Sequence, residues 1–138
     1  YTNYFVYEGT FDQDILIKKS AFCLIMRTGD FYGEIIAYRK YKTQEDPKQQ
    51  NELSLYLTPK KDPGYSVDNY MNVEDADHFQ DLGNMHLVYT DYANCALFSY
   101  NQTEDYELWL YKKPDGLATD CELLLALLSD KPRNVYYT

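Results

Sequence analysis

A single carboxylate stands close to the only tryptophan of the chain, within the stretch 106–111. Alternate side chains of a strand point to opposite faces of a sheet, so Glu107, Trp109 and Tyr111 would share one face. A carboxylate can pair with an ammonium group while aromatic faces flank the cation, and this arrangement indicates capture of an organic cation. The alternatives are an exposed, solvated Glu107 and a Trp109 that only fills the core.

No pattern in the sequence favours an enzyme. There is no glycine-rich phosphate loop and no nucleophile elbow, and neither His78 nor His86 has metal-ligand spacing with a second histidine or a cysteine. The acidic stretch 73–81 lacks the glycine and the terminal glutamate of an EF-hand loop. We therefore expect no catalysis, no cofactor and no metal site.

The composition limits the class of protein and its partners. The chain has 138 residues, enough for a single domain with a core over 1–138, and its 16 tyrosines favour strands. A net charge of −9 disfavours nucleic acid and anionic membranes as partners, and no apolar run is long enough for a membrane-spanning helix. Because the chain begins with Tyr1 rather than methionine, we expect either a removed signal peptide or a trimmed end.

The elements that would position Glu107 and Trp109 are short strands separated by turn residues. Alternating apolar and polar residues, interrupted by glycine, proline and asparagine, predict eight strands. Antiparallel strands in this order avoid open edges by closing into a barrel, whose interior can hold one small ligand. The expected strands lie at about 3–11, 21–27, 31–41, 52–58, 65–73 and 106–113, with two more in 85–100 joined at 91–94. Turns are expected at Gly29–Asp30 and after Pro59.

One helix is predicted after the last of these strands. Thr119 and Glu122 have the spacing of a capping box, and the run 121–128 consists of good helix formers. Since this run is apolar on nearly every side, we expect it to pack on two sides or against a broad surface. The closing residues 134–138 are expected to add a short strand.

Several segments together resemble the tick salivary lipocalins, the family that includes the histamine-binding proteins. The segment DYELWLY (105–111) is similar to a Tyr-Glu-Leu-Trp strand of that family, and YANCALF (92–98) is similar to the strand before it. Cys121 opens the C-terminal helix as in the family, and 4–26 resembles its first strand, loop and cysteine-bearing second strand. The resemblance therefore covers both ends of the chain.

This resemblance implies an all-β protein, an eight-stranded antiparallel up-and-down lipocalin barrel with a C-terminal α-helix packed on its outside. It implies a secreted, extracellular protein that sequesters a host inflammatory mediator, and we expect a monomer. It also implies a disulfide between Cys95 and Cys121 that holds the helix to the barrel wall. Cys23 is similar to a family cysteine whose partner would lie beyond Thr138, and a buried free thiol is the alternative. The triplet at Asn101 matches the acceptor pattern for N-glycosylation.

With the helix outside the barrel, Leu108 and Leu110 are expected to face the helix, and Glu107, Trp109 and Tyr111 to face the lumen. A carboxylate in the lumen costs free energy unless it is paired or hydrated. A biogenic amine, histamine or serotonin, is therefore our first hypothesis for the ligand.

Matching to the family residue by residue places Glu107, Trp109 and Asp14 on cavity positions, while Phe11 replaces a family tyrosine. Ile17 stands where the histamine binders carry a tryptophan, and Ala96 where they carry an aspartate. Phe98 and Tyr100 line the lumen or face outward, depending on a bulge near Cys95. The predicted ligand-binding residues are Phe11, Asp14, Ile17, Phe98, Tyr100, Glu107, Trp109 and Tyr111.

Two other functions remain open on sequence grounds. Ile17, Ala96 and the leucine face of 53–57 favour an apolar mediator such as a leukotriene, a fatty acid or a sterol, with Arg39 or Arg27 as candidates to meet an acid group. The loop 42–51 and the acidic stretch 74–81 are the candidate surfaces for a protein-binding inhibitor of a host immune or complement protein.

Overall fold

Nine strands and one helix form in the part of the chain that the structure describes. The structure is a computed structural model and describes residues 2–11, 14, 16–17, 20–100, 104–115 and 119–136. The elements are β1 Thr2–Gly9, β2 Phe22–Phe31, β3 Glu34–Lys42, β4 Asn51–Lys60, β5 Tyr70–Asp75, β6 Asp81–Thr90, β7 Cys95–Tyr100, β8 Asp105–Leu110, α1 Asp120–Leu128 and β9 Asn134–Val135.

The first eight strands form a closed antiparallel barrel. Each strand pairs with the next one in the chain, and β1 also pairs with β8, so that the sheet closes on itself. The short strand β9 pairs with β1. The predicted fold class, an eight-stranded up-and-down barrel with a C-terminal helix, is therefore confirmed. We call the end with the connections after β1, β3, β5 and β7 the lower end, and the opposite end the upper end.

Alternation along each strand fills the interior with apolar side chains. Val6, Met26, Leu55, Val73 and Met85 are fully buried and belong to one cluster, although they come from different strands. Burying one such side chain contributes roughly 1.5–3 kcal/mol to folding. This cluster holds the barrel walls together between the two ends.

The turn between β2 and β3 lies further along the chain than the sequence predicts. Gly29 and Asp30, the expected turn, continue the ladder and pair with residues of β3. The chain instead reverses at Tyr32 and Gly33, whose φ angles of 54° and 86° are those of a two-residue hairpin turn. The prediction was wrong because a ladder partner on β3 kept Gly29 extended.

Two further strand boundaries differ from the prediction. β4 does not end before Pro59, because Pro59 pairs with Met71 near the end of the strand, where a missing N–H is tolerated. β5 begins at Tyr70 rather than Tyr65, so that 61–69 is a connection and the acidic Glu74 belongs to the strand. Pairing with β4, rather than local composition, sets these limits.

The chain crosses the lower end of the barrel after β1. Phe11 stacks on Tyr136 with ring centroids 5.0 Å apart, and the Tyr136 hydroxyl donates a hydrogen bond of 2.6 Å to the Phe11 carbonyl oxygen. A Cβ atom on Gly9 would lie 2.6 Å from the Tyr106 carbonyl oxygen and 2.9 Å from the Tyr136 ring. Glycine at position 9 therefore allows the two ends of the chain to meet here.

The helix α1 lies on the outside of the barrel. Cys121 and Leu125 are buried against the outward side chains of β7 and β8, and a disulfide joins Cys121 to Cys95. Packing involves one side of the helix only, since Leu123 and Leu127 are exposed. Of the two expected arrangements, packing on two sides or against a broad surface, the first does not occur. The barrel wall is convex, so a helix of this length contacts it along one line of side chains.

The start of α1 lacks the expected capping box. Thr119 occupies the N-cap position, but its side chain makes no capping hydrogen bond. The backbone N–H of Glu122 instead donates to the Thr119 carbonyl oxygen at 3.1 Å.

Candidate functional site

Arg39 places a positive charge inside the lower half of the barrel. Ile35, Ala37 and Arg39 alternate along β3 and so point to its inner face. The Arg39 side chain is 0% exposed. A fully buried guanidinium must be paired and hydrogen-bonded, since its desolvation otherwise costs several kcal/mol.

Asp14 supplies the first partner of this guanidinium. Nε of Arg39 donates to Oδ2 of Asp14 at 3.1 Å, and Nη2 donates to the same oxygen. The other oxygen, Oδ1, accepts the backbone N–H groups of Leu16 and Ile17 at 3.0 and 2.9 Å. The chain that crosses the lower end therefore holds the Asp14 carboxylate in place by its own backbone.

Glu107 supplies the second partner from the opposite side, on β8. Its Oε1 accepts Nη1 of Arg39 at 2.7 Å and the indole N–H of Trp109 at 2.9 Å. Its Oε2 accepts the hydroxyl of Tyr100 at 2.5 Å. The carboxylate is 0% exposed, so these donors replace the water that it loses on burial.

We call these four residues the Arg39 cluster (Arg39, Asp14, Glu107, Tyr100). Burial and the charges within the cluster set the protonation states of Arg39 and Tyr100. Burial acts to lower the pKa of the Arg39 guanidinium, but the Asp14 and Glu107 charges outweigh it and hold that pKa well above its ordinary value. Burial and the charge of Glu107 raise the pKa of the Tyr100 hydroxyl well above 10.0. Arg39 therefore stays charged and Tyr100 stays a hydrogen-bond donor at neutral pH.

The upper half of the barrel contains a cavity of about 200 Å³, which we call the upper cavity. Its walls are mostly apolar and aromatic. Trp109 and Phe98 lie with ring centroids 4.6 Å apart, and Tyr4 lies 5.4 Å from Trp109 and 5.3 Å from Tyr111. The lining residues are Tyr4, Thr28, Ile35, Leu57, Met71, Ala96, Phe98, Trp109 and Tyr111.

Trp109 connects the two halves of the lumen. Its ring lines the upper cavity, while its N–H donates to Glu107 in the Arg39 cluster. This hydrogen bond fixes the orientation of the indole, and the neighbouring rings pack on it. The side chain of Tyr111 is fixed in turn by a hydrogen bond of 2.7 Å with the Thr90 hydroxyl.

The sequence matches the family model described as tick histamine binding protein over residues 2–138. The chain belongs to this family. No curated protein matches the sequence at a significant level. The family and the fold are those of ligand-binding lipocalins and not of enzymes.

Several solved structures share the fold of this lipocalin. AM182, in a serotonin complex, is 14% identical with a TM-score of 0.67, and the match covers 99% of this chain and 82% of that chain. Lobster apocrustacyanin A1 is 13% identical with a TM-score of 0.67, and 99% and 76% of the chains are covered. Japanin from Rhipicephalus appendiculatus, bound to cholesterol, is 11% identical with a TM-score of 0.66, and 97% and 90% are covered. Identities this low establish a shared fold only.

The ligand-binding residues predicted for this lipocalin separate into two groups. Phe98, Trp109 and Tyr111 line the upper cavity, and Phe98 and Tyr100 both face the lumen. Whether any of these residues contacts a ligand stays a prediction, and Asn101 lies outside the described residues. The other five predicted residues lie at the lower end, in or around the Arg39 cluster: Phe11, Asp14, Ile17, Tyr100 and Glu107.

Sequence reasoning did not find the partner of the two carboxylates. Arg39 was a candidate only for the acid group of a lipid, yet it pairs with both Asp14 and Glu107. The alternation of β3 carried a signal, because it puts Arg39 on the same face as Ile35 and Ala37. The pairing of Arg39 with these carboxylates could be found only from the positions of β3 and β8 across the barrel.

The described residues bring together no group of three or more histidine, cysteine, aspartate or glutamate side chains that could hold a metal ion. In the same part of the chain, no helix is both long and apolar enough to cross a membrane. Cys23 is a free, half-buried thiol, and its backbone N–H donates to the Tyr136 carbonyl oxygen at 2.6 Å.

Proposed function

We propose that this lipocalin captures a small, largely uncharged mediator with one or two rings in the upper cavity. The observation that supports this is the separation of charge from the cavity. Asp14 and Glu107 hold Arg39 at the lower end, while the upper cavity is walled by apolar and aromatic side chains. An uncharged ring can bury its surface there without leaving a charged group unpaired.

The size of the upper cavity narrows the class of ligand. Its volume of about 200 Å³ exceeds that of a cavity of about 150 Å³ known to bind benzene, and lies below the roughly 300–1,000 Å³ of drug-sized sites. A ligand with one ring or two fused rings suits this volume. A sterol or a long-chain lipid would require the walls to move apart.

A biogenic amine is the second candidate, because the rings of the upper cavity offer faces to a cation. An ammonium within about 6 Å of such a face gains about 0.5–2 kcal/mol. The structure of AM182, which shares the fold, is a serotonin complex, and the net charge of −9 attracts cations. In this chain the ammonium would rest on aromatic faces, since both buried carboxylates already hold Arg39.

Calorimetry tests both candidates directly. Serotonin and its uncharged analogue 5-hydroxytryptophol would be titrated in parallel, and the titrations would give the affinity and the stoichiometry of each. We expect the uncharged ligand to bind at least as tightly as serotonin. A serotonin affinity more than about tenfold higher would favour the amine instead.

Matched variants place the ligand in the cavity. Phe98→Ala removes a cavity wall and should weaken binding, whereas Phe79→Ala, at an exposed position, should leave it unchanged. If no one- or two-ring ligand binds the unmodified chain, or if both variants bind equally well, the upper cavity is not the site.

We further propose that the protein acts outside the cell, where it would sequester a host mediator and so help to evade host defence. Membership of the tick family and the disulfide between Cys95 and Cys121 support this, since disulfides persist in oxidising compartments. Detection of the disulfide-bonded protein in tick saliva by mass spectrometry would test it. A host immune protein as partner, glycosylation at Asn101 and a monomeric state stay predictions.

A further inference from the structure

The Arg39 cluster has the composition of a binding site for an organic cation. Two carboxylates, from the connection after β1 and from β8, converge on one guanidinium and meet three of its nitrogen atoms. The side chains of Arg39, Asp14 and Glu107 are at most 1% exposed. Such charge-assisted, fork-like contacts are the geometry by which proteins recognise a guanidinium ligand.

Each carboxylate is also held by donors other than Arg39. Backbone N–H groups of residues 16 and 17 hold Asp14, and the Tyr100 hydroxyl and the Trp109 indole N–H hold Glu107. Donors of the chain other than Arg39 therefore help to hold each carboxylate in place. We expect these donors to keep the two carboxylates around an anionic space when the guanidinium is removed.

We propose that Arg39 is the specificity-determining residue of the lower end, a built-in occupant that closes a cation site against organic cations. Guanidinium and primary ammonium compounds would need the same carboxylate oxygens that the Arg39 guanidinium contacts. They cannot bind at the lower end while that guanidinium is in place. In its absence the lower end would bind one such cation. This inference goes beyond the proposed function, because it concerns the lower end and holds whatever the upper cavity binds.

The experiment replaces Arg39 by alanine and supplies the missing atoms as ethylguanidinium. Arg39→Ala removes the atoms that ethylguanidinium contains. We expect the thermal midpoint of this variant to rise with millimolar ethylguanidinium and to saturate, with calorimetry giving one ion per chain. The unmodified protein should show no such rise, and tetramethylammonium at equal ionic strength should not replace the ligand.

Control variants keep the inference testable if Arg39→Ala does not fold by itself. Refolding would then be followed by near-ultraviolet circular dichroism of Trp109, and recovery that requires ethylguanidinium is the expected result. Arg39→Ala combined with Asp14→Asn lowers the uncompensated charge and should fold more readily, with weaker cation binding.

The triple variant Arg39→Ala, Asp14→Asn, Glu107→Gln should bind ethylguanidinium at least about tenfold more weakly than Arg39→Ala does. The inference is overturned if ethylguanidinium neither stabilises nor refolds either of the first two variants. It is also overturned if the triple variant responds as strongly as Arg39→Ala.

Discussion

At the residue scale, Asp14 and Glu107 bring two negative charges into the barrel and Arg39 brings one positive charge. Burying charged groups is expensive, and the ion pairs offset this cost only because hydrogen bonds satisfy the remaining oxygens. Tyr100 and the Trp109 indole supply those hydrogen bonds to Glu107. The carboxylate that suggested a ligand cation is therefore engaged within the protein itself.

Replacing Tyr100 by phenylalanine tests the strength of this network. The variant loses a hydrogen bond of 2.5 Å to a buried carboxylate, and we expect the free energy of unfolding to fall by about 1.5–3 kcal/mol. Urea unfolding at neutral pH measures the difference. Tyr32→Phe, at a fully exposed position, is the matched control and should change little.

The pH dependence of stability follows from the same residue. Burial and the Glu107 charge raise the pKa of Tyr100 above its usual 10.0, so the folded protein keeps a proton that the unfolded chain releases near pH 10. The stabilisation is complete below that pH and is lost as the pH rises above it. Urea unfolding across this range should show the difference between wild type and Tyr100→Phe shrinking; a constant difference would contradict the assignment.

A single substitution at Ala96 would add a carboxylate to the apolar upper cavity and so favour an amine ligand. It lines the upper cavity and is 3% exposed. Ala96→Asp would place a carboxylate beside the rings, and we expect a stability loss of about 1–3 kcal/mol and about tenfold tighter serotonin binding relative to 5-hydroxytryptophol. Calorimetry with both ligands measures this ratio, and Ala96→Asn serves as the uncharged control. Equal changes for the two ligands would show that the carboxylate does not meet the ammonium.

At the scale of elements, the connections are held by side chains that replace missing backbone partners. Between β6 and β7, Oδ1 of Asp91 accepts the backbone N–H groups of Ala93, Asn94 and Cys95 at 3.0, 2.7 and 3.1 Å. This arrangement sets the turn that leads into Cys95, and thereby the strand that carries the disulfide. The tight turn therefore helps to align β7 with the helix.

Acid titration tests the role of Asp91 in this turn. The N–H donors, that of Asn94 first, lower the pKa of Asp91 from 3.8 to about 2. The stabilisation is present above the unfolded value and is lost as the pH falls through about 2. We expect Asp91→Asn to be less stable at neutral pH, with thermal midpoints converging with those of the wild type between about pH 4 and pH 2. Asp68→Asn, in an exposed loop, is the matched control and should leave the thermal midpoint at neutral pH unchanged.

At the scale of the whole molecule, the barrel separates a closed, charged lower half from an upper half with a cavity. The disulfide between Cys95 and Cys121 lies outside this interior and ties the helix to the wall. The helix contacts β7 and β8 on their outer faces and does not enter the lumen. Stability and ligand binding should therefore respond separately to loss of the disulfide.

Replacing both Cys95 and Cys121 by serine tests this separation. The bond spans 26 residues of sequence, and its loss should lower the free energy of unfolding by about 3 kcal/mol. Affinity for the ligand of the upper cavity should change by less than about twofold, as measured by calorimetry. A large loss of affinity in the folded variant would show that the helix shapes the cavity.

Some features followed from the sequence because they depend on neighbours along the chain. Alternation alone put Glu107 and Trp109 on one face of β8 and Leu108 on the other, as the structure shows. The turn after β2 did not follow, since Gly29 has the composition of a turn but pairs with Ile36. A residue that suits two local conformations adopts the one that its partner strand allows.

The sequence by itself therefore determined which side chains of a strand share a face, because the period of a strand is a local property of the backbone. Only the tertiary structure decided what those side chains meet. Arg39 lies on β3, far in sequence from both Asp14 and Glu107, and their pairing depends on strand register and on closure between β1 and β8. For that reason the Glu107 carboxylate, which the sequence predicts to pair with a ligand cation, pairs with Arg39 of the same chain.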